Sequence, residues 1–212
     1  MRVLLASLTL MLAAAPLQAQ QARNSDPDNV VKPAGAMPAG WQARTDRNAP
    51  VSGLSFTAMG RGFHATMGPA AVLYNPANAK SGNYKVAYTF RQTKAPAHPE
   101  AYGLVLGGSD LAGANQAYSY FLVRGTGEYF IATRKGEQRT IIQNWIANPA
   151  IHKQDASGVQ SNVIGAEVRG NEVIFTVNGT EIARRPKNEI LTDGIVGFRV
   201  NHNLDVHIEP AE

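Results

Sequence analysis

Seven side chains in the sequence are of types that recognise or transform a ligand: His64, Arg91, His98, Glu100, Asp110, Arg124 and Trp145. An indole offers a flat apolar face to a sugar ring, and arginine offers hydrogen bonds to its hydroxyls. Trp145 with Arg124 and Arg134, bordering a face that carries Arg91, therefore has the chemistry of a carbohydrate site. The plain alternative puts Trp145 in the core and leaves the arginines as solvated charges. His98 and Glu100 lie in the stretch from Gln92 to Glu100, ahead of a strand that opens into Gly107-Gly-Ser-Asp110. Such loops are where recognition groups tend to sit, although Pro96 and Pro99 would equally serve to stiffen a surface connection. His64 follows Arg61-Gly-Phe63, and a lone histidine there reads as a ligand group or as a satisfied structural residue. Asp205, His207 and Glu209 alternate, so they share one strand face. That row could hold a divalent cation or be a solvated surface. Asn201-His202-Asn203 could coordinate a ligand, but reads first as a turn, since asparagine tolerates the left-handed conformation.

Other chemistries are excluded. There is no cysteine, hence no disulfide, thiolate metal site, cysteine nucleophile or lipoprotein anchor. Gly103 to Gly108 lacks phosphate-loop spacing, and neither G-x-S-x-G nor H-E-x-x-H occurs. Asn178-Gly179-Thr180 is a formal glycosylation acceptor better explained as a turn. The basic residues are dispersed, which argues against nucleic acid as a partner. No catalytic residue, metal-ligand set or cofactor is assigned.

The elements that position these residues are strands. Tyr84, Val86, Tyr88 and Phe90 alternate with Lys85, Ala87, Thr89 and Arg91, the period of a half-buried strand. Tyr102 to Gly107 alternates too. From Ala117 to Arg124 both faces are apolar or small, which implies a central strand covered on both sides. Glu128–Arg134, Arg139–Ile146 and Val163–Val168 continue the series. Glu172–Val177, Asn178-Gly179 and Thr180–Ala183 form a hairpin, because Asn-Gly occupies the two positive-φ positions of a type I′ turn. Gly170-Asn171 is expected to turn in the same way. If Tyr84, Val86, Tyr88 and Phe90 fill the core, the opposite face would be a shallow groove carrying Ala87, Thr89, Arg91, Gly103, Gly107 and Ser119. No window has a sustained helical period outside the N-terminus, so the chain reads as an all-β, two-sheet antiparallel sandwich of one domain over residues 41–212.

Tyr102-Gly-Leu-Val-Leu-Gly-Gly108, the segment Tyr118 to Tyr129, and the C-terminal half from Asn162 through Gly194-Ile-Val-Gly-Phe198 to Leu204-Asp-Val-His-Ile208 resemble the concanavalin A-like lectin/glucanase superfamily. They are also similar to the glucanase-like domain of 3-keto-disaccharide hydrolase type in secreted bacterial proteins. The resemblance implies a jelly-roll sandwich that binds or cleaves sugars. It does not choose between the two. The laminarinase-type members carry E-x-D-x-E on one strand, one carboxylate attacking the sugar and another protonating the leaving group. Here only Asp26 and Asp28 form a pair of acids two residues apart. The expectation is a non-catalytic binding module for a glycan. The alternatives are a glycoside hydrolase using His64, His98, Glu100 and Asp110, and a module that binds a cell-envelope protein.

The N-terminus carries its own message. Met1-Arg2 precedes an almost wholly apolar run from Val3 to Ala15, and Leu17-Gln18-Ala19 loosely fits a cleavage site. Residues 1–19 read as a secretory signal peptide, placing the protein in a periplasm or outside the cell, with no membrane span after cleavage. Removing Arg2 takes the formal net charge from +4 to +3, with 19 basic against 16 acidic residues. Residues 20–40, rich in proline, glycine and polar groups, read as a flexible leader.

Overall fold

Alternating apolar side chains favour an extended backbone that buries one face, and two such surfaces bury each other. The computed structural model describes residues 26–211. Its fourteen strands, numbered in chain order, form two seven-stranded sheets. The front sheet runs β1 (Gln42–Thr45), β4 (Ala71–Lys80), β13 (Gly194–Val200), β6 (Ala101–Ser109), β7 (Ala117–Arg124), β8 (Glu128–Lys135), β9 (Gln138–Ala147). The back sheet runs β12 (Thr180–Pro186), β11 (Glu172–Val177), β10 (Gln160–Arg169), β5 (Tyr84–Gln92), β14 (Asp205–Pro210), β3 (Gly62–Met67), β2 (Leu54–Met59). Neighbouring strands pair antiparallel throughout. The expected all-β sandwich is the observed fold. No helix among the described residues is long and apolar enough to cross a membrane.

The inner layer takes alternate residues from both sheets. Tyr102, Leu104 and Leu106 of β6, Phe121 and Val123 of β7, and Phe198 and Val200 of β13 meet Phe90 of β5, Phe175 of β11 and Ile208 of β14. Aromatic rings close one end: Phe198 lies 5.3 Å from Trp41, 4.8 Å from Tyr88 and 5.8 Å from Phe90. At the other flank Arg185 Nη2 donates to Gln143 Oε1 at 2.6 Å, and the Tyr129 hydroxyl donates to the Ile182 carbonyl at 3.2 Å, joining β12 to the front sheet.

The turns follow their residues. Asn178 and Gly179 have φ of 51° and 79°, as a type I′ turn requires. The Asn178 side chain does more, accepting from the Val163 amide and donating to Ala150 O and Asn162 Oδ1. At Gly170-Asn171 only the glycine has positive φ, 59°, the pattern of a type II′ turn rather than the expected I′. β4 escapes the alternation rule because Pro76 interrupts it. Against β13 the register jumps from Tyr74 to Ala79 while β13 advances from Gly197 to Ile195, so the proline sits in a bulge that needs no ladder donor.

The signal-peptide reading and residues 20–25 lie outside the described residues. From Asp26 to Ala39 the chain has no regular element, yet it lies on the sandwich. The Asn29 amide donates to Asn203 Oδ1 at 2.7 Å, the Ala34 amide donates to Ser55 Oγ at 3.0 Å, and Met37 packs on the core.

Phe198 is the ring through which β13 touches the other sheet. Phe198→Ala is expected to lower unfolding free energy by about 3–5 kcal/mol, the usual cost of deleting a buried ring. Denaturant titration followed by tryptophan emission would measure it.

Candidate functional site

Because side chains alternate, the residues buried inside fix those turned out. β7 sends Tyr118, Tyr120 and Leu122 to the outer face of the front sheet, beside Phe130 and Ala132 of β8, and Trp145 of β9 packs against this second cluster. Phe130 stands 5.0 Å from Trp145 and 6.0 Å from Tyr120, centre to centre. The Arg124 guanidinium lies 4.3 Å over the indole, a cation–π contact. Two bonds of 2.7 and 2.8 Å to Glu128 Oε2 fix that guanidinium. Tyr120, Phe130 and Trp145, with Arg139, Asn144 and Asn201, enclose a hollow of about 240 Å³. Burial raises the Tyr120 phenol above its ordinary pKa, and the Arg199 and Arg139 charges pull against that rise.

Arg199 of β13 borders this hollow and a second one. Its guanidinium grips Asp46 through bonds of 3.1 and 2.7 Å. Burial opposes the charge on Asp46, but Arg199 outweighs it and holds the carboxyl below its ordinary range. The second cavity, about 340 Å³, has Asp46, Glu100, Arg199, His202, Asp26 and Asp28 in its wall. His202 stands among the acids, 2.8 Å from Glu100 Oε1, 3.2 Å from Asp28 Oδ1 and 3.6 Å from Asp26 Oδ2. Asp26, Glu100 and His202 bring one ligating atom each within 4.8 Å of the others. Oxygen and imidazole donors at that spacing suit a small divalent cation, although both His202 nitrogens already face carboxylates. Asn203, with φ of 57°, makes the expected turn. Its amide also donates to Asp26 Oδ1 and the Pro27 carbonyl, each at 3.0 Å.

The seven residues singled out in the sequence do not form one site. Arg124 and Trp145 meet on the front face. Glu100 lines the neighbouring cavity. His64 and Arg91 are on the back sheet, where His207 of β14 pairs with both. His98 is exposed in the β5–β6 connection. Asp110, at φ 45°, caps the loop after β6 by accepting from the Asn115 amide at 3.0 Å. The expected groove is likewise divided. Ala87, Thr89 and Arg91 are on β5 of the back sheet, and Gly103 is on β6 of the front sheet. Ser119 points inward, 1% exposed, and bonds Thr133 and the Leu191 amide. Gly107, at φ 60°, sits in a bulge so close to Leu191 that a Cβ would meet backbone at 2.4 Å. The hydrolase set His64, His98, Glu100 and Asp110 is therefore dispersed over one strand of the back sheet and the two connections that flank β6. Sequence reasoning passed over Tyr120, Phe130, Arg139 and Arg199 as site residues, and ranked His202 first as part of a turn. Arg199 was the most legible of these, since Phe198-Arg199-Val200 alternates in a strand.

The row Asp205, His207, Glu209 does share the outer face of the back sheet. Asp205 accepts from Thr66 Oγ1 at 2.9 Å and from Thr93 Oγ1, and lies 3.1 Å from His64 Nε2.

No family model matches the sequence, and no curated protein does. Solved structures match by fold. The carbohydrate-binding module CBM66 from Bacillus subtilis superposes with a TM-score of 0.57 at 10% identity, over 80% of this chain and 92% of that one. A Bacillus subtilis protein of unknown function with a galectin-like fold gives 0.54 at 13% identity, over 80% and 86%. A Bacillus licheniformis β-glucanase gives 0.52 at 9% identity, over 89% and 99%.

The His64–Asp205 pair has a pH signature. The hydrogen bond to Asp205 raises the His64 pKa above its ordinary 6.5, against the effects of burial and of Lys94. The same bond, with Thr93 and Thr66, holds Asp205 well below its ordinary 3.8 against burial. Lys94 approaches Asp205 Oδ2 at 3.7 Å, and the His207 ring lies 6.3 Å from His64. A raised histidine stabilises fully below 6.5, and that stabilisation is lost as pH climbs through its folded value. The lowered aspartate contributes above 3.8 and is lost in acid. Stability is thus expected to fall as pH rises from 6.5 through the raised pKa of His64 in the native chain, and His64→Ala should flatten that slope. Denaturant midpoints across the range would check it.

Proposed function

We propose that this concanavalin A-like sandwich is an exported, non-catalytic glycan-binding module whose ligand lies on the outer face of the front sheet. The hollow of about 240 Å³ carries the reading, for it joins aromatic surface to amide and guanidinium donors. Sugar rings are amphipathic, with C–H faces that settle on apolar surface and a rim of hydroxyls that needs hydrogen bonds. Tyr120, Phe130 and Trp145 supply the first, extended by Ile141, which is 47% exposed. Asn144 and Asn201 supply donors and acceptors at its rim. Arg124 already covers part of the indole, so the sugar meets the remaining aromatic edge. A volume at the low end for small-molecule sites suits one unit of a longer chain crossing an open face. That a carbohydrate-binding module shares the fold supports the reading without deciding it.

Export rests on the basic, apolar and small-residue order of residues 1–19. Expressed with its N-terminus intact in a bacterial host, the chain is expected in the periplasm or medium, beginning at Gln20 by N-terminal sequencing.

Wild-type chain titrated against a polysaccharide panel is expected to bind at least one member. Trp145→Ala should weaken that binding by about tenfold, near the upper range for one aromatic contact, with a melting temperature within a few degrees of wild type. Absence of binding across the panel overturns the reading.

A further inference from the structure

The charge on the front face narrows the ligand further, on the strength of the glycan-binding reading. Five arginines stand on that face: Arg44, Arg124, Arg134, Arg139 and Arg199. Two have carboxylate partners, Arg124 with Glu128 and Arg199 with Asp46. The others have no carboxylate at ion-pair distance among the described residues. Arg44 Nη1 donates to the carbonyls of Leu111 and Gly113 at 3.3 and 2.6 Å. Arg134 Nε donates to the Gly136 carbonyl at 2.9 Å. Carbonyls satisfy N–H groups without neutralising the charge; Arg134 also acts at longer range on Asp46, whose carboxylate is already gripped by Arg199.

Arg134 and Arg139 are direct cross-strand partners in the β8–β9 ladder. Like charges placed opposite each other on neighbouring strands repel and destabilise the pair. Arg139 is exposed and lines the aromatic hollow beside Tyr120 and Asn144. Asp26, Asp28 and Glu100 are gathered around His202 in the other cavity, so they do not quench this pair at close range. A repelling pair of cations at the rim of an aromatic floor is relieved by an anion carried on the ligand.

We propose that the glycan is anionic, with a carboxylate or sulfate on the sugar docking at Arg139 and Arg134 while its ring rests on the free edge of Trp145 and on Ile141. The guanidinium fork matches both groups in a two-bond geometry.

Matched polysaccharides test this by titration calorimetry near physiological ionic strength, using the whole chain. One pair is polygalacturonate and its full methyl ester, and the other is a sulfated galactan and its desulfated form. The acidic member of at least one pair is expected to bind about tenfold more tightly than its neutral counterpart, as a charge-assisted bond implies. The pair that shows the difference tells carboxylate from sulfate. Arg134→Gln with Arg139→Gln should bring the ratio close to one. Equal binding of acidic and neutral members overturns the anionic assignment and leaves glycan binding standing. No binding to any of the four overturns both. Binding of poly-glutamate as tight as the acidic glycan, or acidic binding that survives Trp145→Ala unchanged, would mean diffuse charge attraction and would also overturn it.

Discussion

One shared layer of apolar side chains between the two sheets sets the terms for everything outside it. Side chains in a strand alternate strictly, so burying Phe121 and Val123 of β7 commits Tyr120, Leu122 and Arg124 to the opposite face. The same rule applied to β13 buries Phe198 and Val200 and turns Arg199 outward. The candidate site is thus what remains visible once water is excluded from the interior. Its aromatic floor is nearly as buried as the core itself, with Tyr120 6% and Phe130 5% exposed. Those rings shield one another and hold their positions without a second sheet above them.

Electrostatics on that face are arranged around the same geometry. Arg199 is only 12% exposed in its side chain, and a guanidinium so placed needs a partner in hand. Asp46, contributed by the short turn after β1, provides it through a two-bond fork. Arg124 is held by Glu128 and lies on the indole. These two arginines form part of the scaffold. Arg139 is exposed, and Arg134 reaches Asp46 only at longer range; the difference between the two sets is one of partners, not of residue type.

Local order was readable from the residues. The alternation of β5, β7 and β11, the Asn178-Gly179 turn and the two-sheet class all follow from period and turn chemistry. The neighbours of each strand were not readable, because β6 lies beside β13 and β5 between β10 and β14, strands far apart in the chain. That ignorance is why Arg91 and Gly103 were assigned to one groove although they stand on different sheets. Trp145 was harder still. The β8–β9 ladder shifts register twice between Tyr129 and Ala132, and each one-residue shift inverts which face a side chain takes. His202 looked like a turn residue because the acids around it come from positions 26, 28 and 100.

The bonds from Asn203 to Asp26 and Pro27 join residues 177 and 176 positions apart. Chain closure over such a distance costs entropy before any contact repays it, and folds rich in such contacts form slowly. The acidic cavity takes its walls from the first described residues, from the middle and from the last turn. Its walls therefore come together only once residues 176 and 177 positions apart have met, so the cavity reports on the closure of the sandwich as a whole.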